Sequence, residues 1–390
     1  MSHYVGNQHH FFAFQNKEID ALYVAVALIS VAEGVISVFV PVYLFQMGMP
    51  LWKILLFFFL RTSYYVPLLA FSIPLLRRMS DKFIIFLSIP CMIGYFVGLG
   101  ALASHSWLFY ALPALGALSM MFFYVGYHLD FSSSADSKHM GEEIGMSMAI
   151  IKIAYFVSPF LGGVLITTFG FGKAFLISSF VLLLAVIPLL FFPKKKVSPR
   201  LKLKQVMRSV GKRRLRKFNL SLYGYAAEGA ITIVLWPLFL FLAMENYEEF
   251  GAFMSAGLLA GAIATFIAGK IADRGDGKRM IDMSSAGSAL VWAGRAFIRG
   301  TSALIGSHIV GFIFRSAMIS TWTREYYRHL KEERHPDAVI LGVEILFHAA
   351  RAMFIPVLIA LAFALPAELF FPVVFAIASA LTLLFLWSDN

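Results

Sequence analysis

Long runs of apolar residues, separated by short polar stretches that often contain glycine or proline, fill most of this 390-residue chain. Each run is about 20 to 27 residues long, which matches an α-helix that crosses a hydrocarbon core of about 30 Å. A membrane-spanning β-strand needs only about 9 to 11 residues. The pattern therefore predicts an all-α integral membrane protein.

Twelve transmembrane helices are predicted, six before and six after a basic stretch near the middle of the chain. The predicted segments are 19–45, 51–76, 82–103, 107–129, 143–168, 173–193, 218–244, 249–272, 279–299, 302–323, 337–363 and 366–388. We expect an N-terminal six-helix bundle over residues 1–193, a basic linker over 194–217 and a C-terminal six-helix bundle over 218–390. Similar apolar stretches around Glu33 and Glu228, half a chain length apart, indicate that the two bundles are pseudo-symmetric.

Composition supports a membrane protein without catalytic machinery. The chain is 59% hydrophobic and 14% charged, which leaves too little polar surface for a soluble globule. A lone cysteine, Cys91, cannot form an intrachain disulfide or a cysteine-based metal site. The common hydrolase, metalloprotease and nucleotide-binding motifs are missing, so we predict no enzyme activity, no cofactor and no bound metal. The alternative is a membrane-embedded enzyme, with a metal held by Glu344, His348 and ligands from other helices.

The distribution of cations predicts the orientation of the chain. The formal net charge is +11, and twelve Lys or Arg with no acid lie within the linker 194–217. This pattern is typical of a cytoplasmic segment in contact with lipid, and we expect no nucleic-acid partner. Because Lys and Arg also concentrate in alternate loops, we expect both termini to be cytoplasmic in a multi-pass protein of the plasma or inner membrane.

A glycine, an Asp-Arg pair and a basic cluster follow the eighth predicted helix. The residues are Gly269, Asp273, Arg274, Gly277, Lys278 and Arg279. This segment resembles the loop motif of the major facilitator superfamily, with one extra residue before the second glycine. In that family the motif is usually clearest in the first half, where this chain lacks the glycine. The resemblance implies that the segment is a gating loop.

The fifth predicted helix carries a second resemblance, to the glycine-proline motif that the same family associates with exchangers. The matching residues are Gly145, Pro159, Gly162 and Gly163, while Ala154 and Ser158 replace two of the usual glycines. Small residues allow close helix packing, and proline permits a bend. Tight packing and an exchange role both remain open. The resemblance as a whole implies two six-helix bundles that rock around a midplane cavity lined by the first, fourth, seventh and tenth helices.

Glu33 and Glu228 are the leading candidates for function. An ionised side chain near the bilayer centre costs at least about 2.5 to 3.5 kcal/mol, so an acid in each half favours a role in proton coupling. Packing relics of a duplication are the alternative. The further cavity candidates are Arg61, His128, Asp130, Lys152, Arg315, Glu344, His348 and Arg351. The last three share one helix face, which predicts an ion-pair staple on the one hand, or a proton relay or substrate clamp on the other.

These features together predict a secondary active transporter of a small organic solute, which works by alternating access and is coupled to protons. The expected partners are the solute, protons and membrane lipids, and the chain is expected to function as a monomer. The alternative is a lipid or lysolipid translocator of the same fold, because the 40 phenylalanines give very apolar walls.

Overall fold

The computed structural model describes the backbone of residues 17–76, 78–134, 140–190, 202–271, 276–298, 300–331, 333 and 335–388. Side chains are described from residue 24 onward within these ranges, apart from those of 81, 129–134, 140–152 and 331. The described residues form helices joined by short turns, and no strand occurs among them. The prediction of an all-α fold is therefore confirmed.

The N-terminal half contains six helical elements. They are α1 (Lys17–Ser37), α2 (Val40–Gln46), α3 (Leu51–Leu76), α4 (Asp81–Ala101), α5 (Leu108–Ser134) and α6 (Met140–Leu190). The first span is divided into α1 and α2 because Pro41 stands in the first turn of α2 and cannot continue the hydrogen-bond ladder. Gly170 interrupts α6 with φ 77° and ψ 167°, a conformation that suits glycine, so α6 consists of two spans that meet there.

The C-terminal half contains a short linker helix and seven further elements. They are α7 (Leu203–Val210), α8 (Arg216–Ala230), α9 (Trp236–Met244), α10 (Tyr247–Ile271), α11 (Gly277–Arg295), α12 (Thr301–Lys331), α13 (Pro336–Ala364) and α14 (Ala367–Leu383). A π-helical turn, Ile231–Leu235, joins α8 to α9 into one span. Such turns are rare and concentrate at functional sites, and this one begins three residues after Glu228.

Twelve membrane passes can be counted in the described part of the chain. Ten helical stretches are long and apolar enough to cross a bilayer, and one of them, Ile153–Leu190, contains two passes because of the break at Gly170. The twelfth is α11, whose serines Ser284, Ser285 and Ser288 are buried whereas Leu290 is 74% exposed. A membrane-spanning helix at the surface of a bundle exposes apolar side chains to lipid and packs small polar side chains against its neighbours. The predicted twelve-helix, two-bundle architecture is confirmed.

The linker contains a helix that the sequence analysis did not predict. Helix α7 packs on the first turns of α13, where the Ser209 hydroxyl donates to the Ala338 carbonyl oxygen at 3.0 Å. Gly342 of α13 leaves room for α7, since a Cβ there would lie 3.1 Å from the Val206 carbonyl oxygen. Cations that follow α7 also form ion pairs with Glu333. The linker is thus attached to the end of the bundle at which α13 begins.

The opposite end of the molecule is closed between the two halves. Helices α6 and α10 pack closely there because Gly163 faces the backbone of Tyr247 and Gly251 faces the backbone of Pro159, with no space for a side chain at either glycine. Aromatic rings complete the closure, and Phe39 of the N-terminal half lies edge-on to Phe250 at 5.1 Å between ring centroids. We call this contact the aromatic seal.

The glycine-proline motif of α6 lies in this closed region. Gly162 faces the Val35 carbonyl oxygen of α1, and Gly163 faces α10 across the boundary between the halves. Pro159 lies inside α6 and borders the central cavity described below. The side-chain surroundings of Gly145, the first residue of the motif, lie outside the described residues. The motif therefore permits close packing on both sides of α6.

Candidate functional site

A central cavity of about 510 Å³ lies between the two halves. It is lined by residues of α1, α3, α5 and α6 from one half and of α8, α9, α10, α12 and α13 from the other. The first, fourth, seventh and tenth predicted spans all contribute. The cavity begins beneath the aromatic seal and reaches His128 and Tyr327, near the end of the bundle at which the linker helix is attached.

Seven of the predicted polar candidates line this cavity. They are Glu33, Arg61, His128, Arg315, Glu344, His348 and Arg351. Glu228 lies behind the cavity wall and is fully buried. Asp130 and Lys152, the two remaining candidates, have side chains outside the described residues. The fold thus brings together charges that are far apart in the sequence.

Glu33 projects into the cavity from α1 and is bound by a tyrosine. The Tyr155 hydroxyl of α6 donates to the Glu33 carboxylate at 2.7 Å. Helices α1 and α6 approach closely here, since a Cβ at Gly34 would lie 2.6 Å from the Ser158 side chain. Among the described residues, no Lys, Arg or His nitrogen lies within 4.0 Å of the Glu33 carboxylate. Glu33 is therefore an intramembrane carboxylate without an ion-pair partner in this part of the chain.

Glu228 has the opposite environment. The Arg315 Nε donates to both carboxylate oxygens, at 3.0 and 3.1 Å. The Thr232 hydroxyl and the Trp292 indole N–H donate to one of the same oxygens, at 2.6 and 3.2 Å. These contacts satisfy a buried ionised carboxylate, so Glu228 anchors Arg315 and joins three helices.

Glu344 is the centre of a cluster that spans both halves. The Tyr65 hydroxyl of α3 donates to the Glu344 carboxylate at 2.7 Å, and the Tyr65 ring stacks on His348 at 3.6 Å between centroids. Imidazole nitrogens of His348 and His128 lie 3.9 and 4.0 Å from the carboxylate oxygens. Tyr327 lies 3.4 Å from the other nitrogen of His128. Across the described residues, no group of three or more side chains is arranged to hold a metal ion.

Arg61 and Arg351 face the cavity without a carboxylate partner among the described residues. The Arg61 Nε has no hydrogen-bond partner among the described residues, and the Arg61 Nη2 lies 2.5 Å from the Met120 sulfur. The Arg351 Nε donates to the Ala226 carbonyl oxygen at 3.1 Å. The guanidinium of Arg351 also lies 4.3 Å from the centroid of the Phe347 ring. These two cations differ from Arg315, which is neutralised by Glu228.

Aromatic side chains form one wall of the cavity. The Tyr225 ring lies 5.4 Å from Trp322 and 5.2 Å from Phe347, between centroids, and all three line the cavity. The Trp322 indole N–H donates to the Ser221 hydroxyl at 2.8 Å, which fixes the orientation of the indole ring. The wall therefore offers flat apolar surfaces in the same cavity as the guanidinium groups of Arg61 and Arg351, and Phe347 contacts Arg351 directly.

Several residues of the site were not predicted from the sequence. Tyr65 and Tyr155 bind the two cavity carboxylates, but a tyrosine inside an apolar run carries no distinguishing signal. Arg295 is 5% exposed and lies over the rings of Trp236 and Trp292, at 3.6 and 4.2 Å from their centroids. The signal that could have identified Arg295 is its position at the end of a predicted span, next to tryptophans that can bind a cation.

The described residues of the predicted gating-loop motif lie away from the cavity. Gly277 begins α11 and is buried near Thr321, Arg324 and Glu325 of α12. Lys278 pairs with Asp282 and donates to the Leu386 carbonyl oxygen at 2.7 Å, and Arg279 is exposed. A Cβ at Gly269 would meet open space. Asp273 and Arg274 lie outside the described residues. The described part of the motif thus joins α11 to α12 and to the C-terminal turn.

A twelve-span bundle with a charged cavity between two halves defines a membrane transport protein. The sequence model of the Major Facilitator Superfamily matches residues 22–341, and the chain belongs to this family of transporters. The resemblance seen in the sequence is therefore confirmed, and the chain is a multi-pass membrane protein. A search of curated proteins finds no match.

Solved structures share the fold. The human organic anion transporter MFSD10 (TETRAN) superposes with a TM-score of 0.70 at 12% identity, over 97% of this chain and 100% of that one. The nucleoside transporter NupG superposes with a TM-score of 0.73 at 11% identity, over 95% of this chain and 98% of that one. At such identities the likeness extends to the fold only.

Proposed function

We propose that the chain is a secondary active transporter that moves a small organic solute by alternating access and couples this movement to protons. The observation that carries the proposal is the environment of Glu33, a cavity carboxylate whose described hydrogen-bond partner is a tyrosine hydroxyl and not a cation. An unpaired ionised carboxylate in a membrane interior is costly, whereas its protonated form is not. Glu33 is therefore the first proposed proton site.

The other charged and titratable groups around the cavity define the field at Glu33. They are Arg61, Tyr95, Tyr124, His128, Tyr155, Tyr225, Arg315, Tyr326, Tyr327, Glu344, His348 and Arg351. Glu344 is the second proposed proton site, because its hydrogen bond also comes from a tyrosine and two imidazoles stand beside it. Glu228 is proposed to hold Arg315 in place without exchanging protons.

Alternating access is supported by the contrast between the two ends of the bundle. The aromatic seal closes one end, while the cavity extends toward the other. In the proposed cycle, residues 1–193 and 218–390 act as the two moving bundles, and 194–217 act as the linker. Both termini are placed on the cytoplasmic side, and a single chain is the proposed working unit.

The proton site can be tested without knowledge of the solute. Infrared difference spectroscopy on the purified protein in lipid, after a step in pH, reports carboxyl groups that gain or lose a proton. We expect a carboxylic acid band that disappears in Glu33→Gln and persists in the matched control Glu249→Gln, which removes an exposed acid at the start of α10. A spectrum unchanged by Glu33→Gln would contradict the assignment.

Coupling is tested in liposomes with three probes that share a naphthyl body, namely the permanently anionic naphthalene-2-sulfonate, the permanently cationic trimethyl(2-naphthyl)ammonium and the neutral 2-naphthyl glucoside. We expect an imposed pH gradient to drive accumulation of one probe by the unmodified chain. In Glu33→Gln the gradient should no longer drive accumulation, while exchange of the probe across the membrane continues. Gradient-driven accumulation that survives Glu33→Gln would refute coupling through this residue.

A further inference from the structure

We propose that the solute is an organic anion, whose acidic group binds between Arg61 and Arg351 and whose body lies against the aromatic wall of the cavity. This inference rests on the proposed transport function and specifies its substrate class. The acidic group can be a carboxylate, phosphate or sulfonate, because a guanidinium binds each of them through paired N–H donors.

The first argument is the distribution of partners among the cavity charges. Glu228 neutralises Arg315, whereas Glu33 and Glu344 accept hydrogen bonds from tyrosine hydroxyls. Arg61 and Arg351 are thereby left without a carboxylate within the described part of the chain. A guanidinium that faces a membrane interior without an anion is costly, and a bound anion offsets that cost.

The second argument is the construction of the Arg61 site. The side chain is held by contact with Met120, and its guanidinium lies 5.7 Å from the centroid of the Tyr95 ring. Neither contact supplies negative charge, and the Arg61 Nε is buried without a hydrogen-bond partner. An arginine donates up to five hydrogen bonds, so the contacts that the described residues make with Arg61 leave most of its N–H groups available to a ligand.

The third argument is the position of Arg351 on the opposite half of the molecule. Its side chain is 9% exposed, and it packs against Gly229, where a Cβ would lie 2.7 Å from the arginine Nη2. Arg351 and Arg61 line the same cavity from α13 and α3, which belong to opposite halves. An anion that binds both cations would connect the two halves within the cavity. In alternating access the solute binds between the two moving halves, so such a site fits the proposed mechanism.

The fourth argument is the shape and chemistry of the remaining space. A volume of about 510 Å³ falls within the range of roughly 300 to 1,000 Å³ that is usual for sites that enclose one small organic molecule. Tyr225, Trp322 and Phe347 give the cavity an extended aromatic surface. The site therefore suits an anion with an apolar or aromatic body better than a compact inorganic ion.

Equilibrium binding at fixed pH and salt tests the inference, with the three naphthyl probes titrated into the purified protein by calorimetry. We expect naphthalene-2-sulfonate to bind most tightly. Arg61→Gln and Arg351→Gln should each weaken its binding about tenfold or more and leave the glucoside within about twofold. Arg61→Lys should recover part of the loss. The matched control is Arg328→Gln, an exposed arginine paired with Glu325, which should change none of the three affinities.

The outcomes separate this inference from the proposed coupling. Tightest binding of the cationic probe, or an equal loss for all three probes in the arginine variants, would overturn the anion site. A parallel titration with 1-oleoyl lysophosphatidate identifies the source of the anion, since arginine-dependent binding of this lipid would support the site with a lipid headgroup as its ligand. If the unmodified chain shows no pH-driven transport but still binds the sulfonate selectively, the coupling would be rejected and the anion site would stand.

Discussion

Replacement of Glu228 by glutamine is expected to destabilise the protein strongly, whereas the same replacement at Glu33 is not. The two glutamates occupy similar sequence contexts, so the comparison isolates the effect of their surroundings. Glu228 is fully buried, and its carboxylate receives both contacts from the Arg315 Nε and one hydrogen bond each from Thr232 and Trp292. Glu33 receives a single described hydrogen bond, from Tyr155.

The magnitude follows from these contacts. A glutamine at position 228 can still accept from Thr232 and Trp292, but its NH₂ group would face the Arg315 Nε, which is also a donor. Removal of one member of a buried ion pair costs about 3 to 5 kcal/mol. Because the Arg315 side chain is 19% exposed to the cavity, water can solvate it in part, so we expect the lower end of this range, about 3 kcal/mol. Glu33→Gln keeps an acceptor for the tyrosine and should cost less than about 1 kcal/mol.

The assay is reversible unfolding in mixed micelles, monitored by tryptophan fluorescence, for both variants and for the exposed-site control Glu249→Gln. A second substitution tests whether the unpaired charge of Arg315 causes the loss of stability. Arg315→Met, combined with Glu228→Gln, removes the orphaned charge and should regain much of the lost stability, so the double-mutant cycle should show a coupling of about 2 kcal/mol or more.

Two results would refute this reasoning. Equal destabilisation by Glu33→Gln and Glu228→Gln would mean that the ion pair between Glu228 and Arg315 is not what distinguishes the two acids. Additive losses in the double variant would mean that Glu228 stabilises the fold by some means other than the neutralisation of Arg315.

Three further predictions concern packing, a buried hydrogen bond and the linker. Gly163→Val should force α6 from α10 and lower both the melting temperature and transport, whereas Gly172→Val on the same helix, where a Cβ meets open space, should change neither. Trp236→Phe should cost about 1 to 3 kcal/mol in unfolding experiments, because the indole N–H that donates to the buried His308 at 3.0 Å is lost. Glu333→Gln should lower the free energy of unfolding by about 1 kcal/mol or less, and high salt should remove this difference. The same substitution should speed tryptic cleavage of the basic linker. An unchanged cleavage rate would mean that the ion pairs with Glu333 do not hold the linker in place.

The fold could be predicted from the sequence to a large extent because the bilayer imposes simple rules. The length of the apolar runs, their composition and the glycines between them predict twelve membrane passes. One of these passes is α11, although the mean hydropathy of α11 is low. The sequence did not reveal the helix α7, since a basic stretch with few apolar residues reads as a loop. Val206 and Val210, which bury one face of α7, become informative only once α13 is present to cover them.

The candidate site was predictable as a set of residues but not as an arrangement. Sequence analysis identified the intramembrane charges because each of them violates the apolar pattern. It treated Glu33 and Glu228 alike, since an apolar context does not say whether a guanidinium stands opposite. Arg315 reaches Glu228 from a helix 87 positions away in the chain, and Tyr65 reaches Glu344 from 279 positions away. Partners at such separations depend on helix packing, which a single sequence does not report.

The polar contacts of the cavity would link binding to bundle motion in the proposed transport cycle. The Tyr65–Glu344 hydrogen bond and the stacking of Tyr65 on His348 join α3 to α13, which belong to different halves. A hydrogen bond to an ionised carboxylate is roughly twice as strong as one to a neutral group, so proton binding at Glu344, as proposed, would weaken this contact between the halves. Arg61 and Arg351 lie on the same two helices, so a ligand that binds them acts on the same interface. At the other end, Gly163 of α6 and Gly251 of α10 face backbone atoms of the opposite helix. The proposed cycle therefore predicts that ligand binding and protonation act first on the α3–α13 interface, and that the aromatic seal opens through the movement of whole helices.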